Sequence, residues 1–498
     1  MNGAGHEPSG PLHEGCAGVF AMAVTRARRV AVAFVAFAAL LHLVAGCVAQ
    51  ALPGGGAAQP ARDEPHALGP FGRGINFGNA LEAPVEGEWG LTITERHVRA
   101  VADAGFQTVR LPVRWSAHAA TTAPYRIDPD FLARVNEVVG WVLDHDLQVI
   151  VNVHHYDALA TDPPAHLQRW LGIWRQLAEH YRNAPRALAF ELLNEPYGAL
   201  DDERWNSMVR EALAIVRETN PTRLVVVGPT HWNAIGALPG LALPDDDHLV
   251  LSVHFYDPFE FTHQGAEWIH PPPPVGVAWT GTQRTPAAGW QDWSWDTERA
   301  YGEELTLTYR DGWAGFYLQS SQVVDGYTHL ALRTSRGLDL LVLCNAGDSG
   351  AMPIRTAAGV EQLIDLHDCG GGAGVPRVIL QNGSDQPQPP FVLETLELRG
   401  PDEALSLLLD EAGAVAAAFD LVLAWAEANG GLPVFVGEFG AYGLADMPSR
   451  VRWTRVVREA IEVRGFGWAY WEFAAGFGAF DQTTGAWRSD LLEALLGD

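Results

Sequence analysis

Two apolar segments of this chain carry a glutamate where a β-strand would end. One reads Leu188-Ala-Phe-Glu-Leu-Leu-Asn-Glu-Pro196 and presents Glu195; the other reads Pro433-Val-Phe-Val-Gly-Glu-Phe-Gly440 and presents Glu438. A carboxylate in such a setting costs free energy unless it is partnered or used. Two carboxyls facing across a cleft are what glycoside hydrolysis requires, one protonated to help the leaving oxygen depart and one ionised to attack the anomeric carbon. The other use of such a pair is structural, as ion pairs with arginines.

Further chemistry-bearing residues recur at comparable positions. They are Asn79 and Glu82, Arg110, His154 and His155, Asn194, Trp232, His254 and Tyr256, and Trp471. Glu191 lies three residues before Asn194, so strand alternation turns its side chain away from that of Asn194 and excludes it from the site. The same alternation sends His154 and His155 to opposite faces, which argues against a two-histidine metal site. One of them should face the cleft as a hydrogen-bond partner. Trp232, Trp268 and Trp471 offer flat faces to the CH-rich faces of pyranose rings.

The elements that must position these residues are legible in the hydropathy pattern. Short apolar, β-branched runs at 73–79, 108–113, 148–155, 188–194, 224–228, 249–256, 434–438 and 467–473 alternate with amphipathic helical patterns at 94–104, 130–144, 165–181, 205–219, 414–428 and 450–463. Eight strand-helix units predict an α/β (β/α)8 TIM barrel, which gathers the carboxyl ends of its strands at one cleft. More than 150 residues separate the sixth strand from the next helix, too many for a loop. An all-β insert, a β-sandwich of the jelly-roll kind, is expected over 303–400, so that 66–302 and 401–498 form the barrel. Its Trp313, Tyr317 and Tyr327 could stack on a sugar chain or fill the sandwich core. Cys344 and Cys369 could form a disulfide in an oxidising compartment; two buried thiols are the alternative.

The first 65 residues read as an address label. Arg26, Arg28 and Arg29 precede an apolar run too short to span a membrane, and Val44-Ala-Gly-Cys47 resembles a bacterial lipobox with Cys47 as the lipidated residue. Residues 1–47 are therefore expected to be a signal peptide, with 1–21 upstream of a start at Met22. The Gly/Pro/Ala-rich stretch 48–65 reads as a flexible tether. The expected location is the bacterial cell envelope or surface by a lipid anchor, or otherwise a secreted or periplasmic one.

Composition removes several chemistries. The 498 residues contain no lysine and carry a formal charge of −27. Schiff-base catalysis, a pyridoxal-phosphate anchor and a Gly-Lys-Ser/Thr phosphate loop are excluded. The acidic balance opposes nucleic acid as a partner and favours a neutral substrate. No cofactor and no metal are expected, membrane contact is expected only through the lipid anchor, and the chain is expected to be a monomer.

The motifs closely resemble glycoside hydrolase family 5, the cellulase-like retaining β-glycosidases, over residues 71–296 and 405–495. They are Gly74-Ile-Asn-Phe-Gly-Asn-Ala-Leu-Glu-Ala-Pro84, Val109-Arg-Leu-Pro-Val-Arg-Trp115, Asn152-Val-His-His-Tyr156, Asn194-Glu-Pro196, His254-Phe-Tyr256, Phe261-Thr-His-Gln-Gly-Ala-Glu-Trp268, Gly437-Glu-Phe-Gly440 and Tyr470-Trp-Glu-Phe473. The first and the Phe261–Trp268 segments are similar to subfamily 25, which includes bifunctional endoglucanase/mannanase enzymes. The resemblance implies Glu195 as acid/base and Glu438 as nucleophile, with Asn194 on the 2-hydroxyl. It further implies that Arg110 and Tyr256 keep Glu438 ionised and oriented, and that His154 and His254 position the reacting sugar or the carboxylates. Asn79, Glu82, His155, Trp232, His263, Trp268 and Trp471 match substrate-contact positions. The expected activity is retaining endo-β-1,4-glycanase action on glucan or mannan. An exo-acting β-glucosidase, a β-1,3-glucanase and a non-catalytic surface lipoprotein that captures polysaccharide are the alternatives.

Overall fold

The computed structural model describes residues 68–497 apart from 288, 346, 348, 349, 373 and 402, with only the backbone at 321 and 322. The signal segment, Cys47 and the tether lie outside the described residues. None of the helices among the described residues is long and apolar enough to cross a membrane.

Eight parallel strands close into a barrel in the expected order: Arg73–Asn76, Thr108–Leu111, Gln148–Asn152, Leu188–Glu191, Val225–Val227, Leu249–Phe255, Val434–Phe439 and Gly467–Tyr470. Each is shorter at its carboxyl end than the apolar run suggests, except the seventh, which is one residue longer. Inside the barrel, Ile150, Ala189, Val226, Val250, Phe435 and Ala469 form a small apolar plug with Phe71. Two positions further along, the same inward face becomes polar with Asn152, Glu191 and Ser252, all fully buried. The outer faces of the strands pack against the surrounding helices in the main core, which includes Trp170, Trp174, Trp205 and Trp453.

Five of those helices start on an aspartate. Asp128, Asp162, Asp201, Asp410 and Asp446 each accept a backbone N–H from the first turn of the helix that follows. Each such cap contributes about 1 kcal/mol. Part of the acidic excess is thereby structural rather than a matter of partners.

The insert leaves the barrel after its sixth strand and returns before helix Glu411–Ala428, through a neck in which Arg284–Pro286 pairs antiparallel with Leu408–Asp410. One sheet has the order 362–365, 329–334, 391–399, 305–309, 297–301, with 404–406 added to 391–399; the other runs 352–355, 339–343, 375–382, 315–324, 290–292. The two share one core, in which Leu305, Leu307 and Leu332 meet Phe316, Val342 and Leu380. Tyr309 spans it and donates to the Leu380 carbonyl at 2.6 Å. Cys344 and Cys369 are disulfide-bonded within this core.

The β-rich region is wider than 303–400, because strands Trp290–Asp292 and Thr297–Tyr301 precede that range and Ala404–Ser406 follows it. These are short strands at sheet edges, and Thr297–Tyr301 buries only Thr297. They lack the period-two alternation that marks a half-buried strand. Tyr327 packs against the sandwich core, whereas Trp313 is exposed.

Candidate active site

Arg110 is the centre of the site. It is fully buried on the second strand and its five N–H groups are all engaged. Nε and Nη2 grip Glu191 at 2.6 and 2.7 Å, Nη2 also reaches Asn194 Oδ1 at 2.6 Å, and Nη1 donates to Asn76 Oδ1 and to Glu438 Oε1, both at 2.8 Å. Burial disfavours the guanidinium's charge, but the two carboxylates more than offset it, so its pKa is raised. Asn76 is held in turn by the Gly437, Ala469 and Tyr470 carbonyls, which orients its oxygen towards Arg110.

Glu438 is the enclosed carboxyl, its side chain 6% exposed. Arg110 takes one oxygen and the Tyr256 hydroxyl donates to the other at 2.8 Å, so both lone-pair sides are fixed. A backbone irregularity aims it. The seventh strand pairs Val436 with Val253 and Glu438 with His254, leaving Gly437 as an extra residue. The shift turns Glu438 to the face that uninterrupted alternation would deny it. Gly437 is required there, because a Cβ would lie 2.8 Å from Ser252 Oγ and 2.9 Å from His254 Nε2.

Glu195 is the open carboxyl, its side chain 25% exposed. It lies beyond the fourth strand, and its protein partner is His254, whose Nδ1 is 2.7 Å from Oε1. One oxygen of each glutamate and one His254 nitrogen all fall within 4.8 Å of one another. Carboxyl oxygens this close suit double displacement, which needs the two groups near one another. Burial, resisted by Arg110 and reinforced by Glu191, pushes Glu195 up to about 7. Burial also raises Glu438, with His254 and Arg110 acting in the opposite sense. The difference in environment allows one group to carry a proton while the other is ionised.

Two expectations built on strand alternation are corrected. Glu191, set aside above, is fully buried and holds Arg110 bidentately. His154 and His155 both line the cleft beside Asn194 and Glu195, rather than pointing to opposite faces. In both cases the strand has already ended, at Glu191 and at Asn152, so the alternation does not extend to Asn194 or to the histidines. Burial holds His155 down to about 4 and His154 well below its usual range, which keeps both neutral.

Glu82 is also placed differently from a substrate contact. It is fully buried, and its carboxyl oxygens accept the backbone N–H groups of Asn79 and Ala80, so it shapes the loop that carries Asn79. The other expected residues surround the carboxyl pair. Trp471 lies parallel to His154, with ring centres 5.6 Å apart. Exposed Trp232 stacks on Tyr197 on the Glu195 side, and its backbone N–H donates to the Pro196 carbonyl. Exposed Trp268 stands against Tyr442 and Phe477, and Phe477 and His263 both contact Tyr256 on the Glu438 side. Sequence reasoning missed Asn76, Asn152, Glu191 and Asn233; the signal for the first three was a polar residue ending an apolar strand.

Residues 73–301 match the family described as Cellulase (glycosyl hydrolase family 5). Endoglucanase H of Acetivibrio thermocellus is 42% identical over 211 residues, 41% of this chain and 23% of that protein. Endoglucanase C of the same organism is 32% identical over 210 residues, 40% of this chain and 61% of that protein. The chain thus spans less than two thirds of the length of these curated relatives. Thermotoga maritima Cel5A, solved with cellobiose, superposes with a TM-score of 0.59 at 30% identity over 86% of this chain and 97% of that one. It has also been solved with mannotriose, with a TM-score of 0.58. With a relative of known structure at 30% identity spanned almost end to end, and a family match over the first six barrel strands, the chain belongs to the cellulase family, glycosyl hydrolase family 5.

Proposed function

We propose that this chain is a retaining endo-β-1,4-glycanase acting on a neutral glucan or mannan. The observation that carries this reading is the carboxyl pair: Glu438 enclosed and oriented by Arg110 and Tyr256, and half-buried Glu195 with its pKa pushed up to about 7, with an oxygen of each within 4.8 Å of the other. Glu438 attacks C1 as Glu195 gives its proton to the departing oxygen. Glu195, now ionised, takes a proton from water, whose oxygen adds to C1 as the ester to Glu438 breaks. The Asn194 oxygen is occupied by Arg110, which leaves its NH2 group to meet a sugar hydroxyl. Aromatic platforms flank both carboxyls, Trp232 on one side and Trp268 on the other, which supports internal rather than terminal cleavage. The 79–84 and 261–268 motifs support subfamily 25, and the cellobiose and mannotriose complexes of a relative support both backbone sugars.

The test is hydrolysis of defined β-1,4-gluco- and manno-oligosaccharides, with product sizes by chromatography and the first-formed anomer by NMR. Retained configuration and mid-chain products are expected. An inverted anomer overturns the mechanism, release of single terminal sugars overturns the endo assignment, and no hydrolysis leaves the capture reading.

The insert is proposed to bind the same polysaccharide. Trp293 and Trp313 are 58% and 52% exposed, and Trp295 and Tyr317 pack beside them on the outer face of the sheet that carries Gln319 and Gln381. Replacing both exposed tryptophans by alanine in the full chain should weaken retention on insoluble cellulose or mannan about tenfold, with soluble-substrate turnover unchanged. Unchanged retention assigns the face to packing alone. Export and lipidation at Cys47 are proposed from the lipobox; labelled palmitate should be incorporated in cells and lost in Cys47→Ser. The whole carboxyl site comes from one chain, which supports a monomer, testable by light scattering.

A further inference from the structure

His231, Trp232 and Asn233 form a run of three consecutive non-glycine residues in left-handed backbone, with φ of 55°, 61° and 56°. Such a conformation costs about 1–2 kcal/mol per residue. The turn sends Trp232 outward and Asn233 inward, where it is fully buried. The packing is close: a Cβ on Gly228 would overlap the Asn233 amide. Asn233 Oδ1 is buried without a hydrogen-bond partner, a further cost of about 1–3 kcal/mol. A strained turn carrying an unpaired acceptor is poor material for stability, which leaves function as the reason for it.

The amide nitrogen supplies that function. Asn233 Nδ2 lies 2.6 Å from the Asn194 backbone oxygen and 3.2 Å from His254 Nε2. A backbone carbonyl only accepts, so the atom facing it must be the NH2 group, and His254 Nε2 must then accept the second proton. Burial holds His254 down to about 4, so the ring is neutral in the working range. A neutral ring that accepts at Nε2 carries its proton at Nδ1, which is 2.7 Å from Glu195 Oε1. The other groups around this ring are Glu438, whose Oε2 is 3.6 Å from Nδ1, together with Arg110, Glu191 and His154. Among the described residues, Asn233 is the hydrogen-bond partner of Nε2.

We propose that Asn233 is a positioning residue that fixes His254 as its Nδ1–H tautomer, so that His254 occupies Glu195 Oε1 and the catalytic proton resides on Oε2. In the first step the Oε2 proton passes to the leaving oxygen as C1 bonds to Glu438; in the second, water returns a proton to Oε2. Without Asn233 the ring can take its proton at Nε2. Nδ1 then accepts the Glu195 proton in a hydrogen bond and withholds it from the leaving group. This inference rests on Glu195 as the acid/base.

Asn233→Ala and Asn233→Gly test it, the glycine variant suiting the positive φ and guarding against a folding defect. The substrates are a cello-oligosaccharide, whose departing sugar needs a proton, and a 2,4-dinitrophenyl β-cellobioside, whose leaving group does not. A fall of about 10–100-fold in kcat on the first, with less than about threefold change on the second, is expected. The basic limb of kcat/KM should move to higher pH, and adding Asn233→Gly to His254→Ala should cost nothing further. Equal losses on both substrates, no loss, or a full additional loss in the double variant overturns the assignment. Failure of the wild-type protein to cleave the cello-oligosaccharide would instead overturn the functional reading.

Discussion

The barrel and its insert bury opposite kinds of side chain. The barrel buries Arg110, Glu191, Glu438, Glu82 and Glu472, and the network around Arg110 consumes every donor of the guanidinium. Among the described residues from 284 to 406, no Asp, Glu or Arg is buried; the sandwich is closed by leucines, aromatic rings and a disulfide. Buried charge adds little to net stability and is destabilising once one partner is lost. The region that carries it is the region with chemistry to perform, whereas the insert has the economy of a structural or surface-binding module.

The largest test of this contrast is Glu438→Gln, which should cut turnover on the order of 10⁴-fold or more while substrate binding survives. Substantial residual activity would remove Glu438 as nucleophile. Next is Glu191→Ala, which takes from buried Arg110 its bidentate partner and leaves two of its N–H groups without the carboxylate they grip. A loss of about 3–5 kcal/mol by denaturant unfolding is expected, with activity falling as Arg110 and Glu438 lose their alignment. A neutral outcome would show that Glu191 is not part of the site.

The pH profile comes third. The proposed mechanism needs Glu438 ionised and Glu195 protonated, so kcat/KM should rise through a Glu438 pKa above the ordinary 4.5 and fall about tenfold per unit beyond about 7. Stability should also depend on pH. Burial, resisted by backbone N–H groups, raises Glu82 to about 8 and Glu472 to about 7. The folded state therefore keeps protons that the unfolded chain releases above 4.5. The stability these groups contribute is complete below pH 4.5 and is lost as pH rises through 7 to 8. The melting temperature should fall by several degrees between pH 5 and 8, and Glu82→Gln should flatten that fall. The smallest effect on catalysis belongs to the insert. Replacing Cys344 and Cys369 by alanine reopens a loop of 25 residues and should cost about 3 kcal/mol of local stability, with kcat on soluble oligosaccharide unchanged. A fall in kcat would couple the insert to the cleft.

Much of the barrel was legible because most strands are short apolar runs and most helices are amphipathic, Glu411–Ala428 being instead apolar nearly all round; all eight strands and six helices lie where the pattern puts them. Edge strands of the insert were not legible, since one exposed side and a few residues leave no periodic signal. Glu195, Glu438, Arg110, Tyr256 and the aromatic platforms were legible from residue type at strand ends. Glu191 and the shared orientation of His154 and His155 were not, because alternation holds only while the strand lasts.

By itself, the sequence determined the eight-unit repeat, the interruption after the sixth strand, and the two glutamates whose burial would need a use. Those are properties of composition and period, which a linear chain carries. Tertiary structure decided which carboxylate is enclosed and which is open, through the bulge at Gly437, the five-bonded Arg110 and the left-handed turn that brings Asn233 beneath His254. These depend on backbone irregularity and on contacts between strands separated by hundreds of residues, and they set the proton inventory of the site.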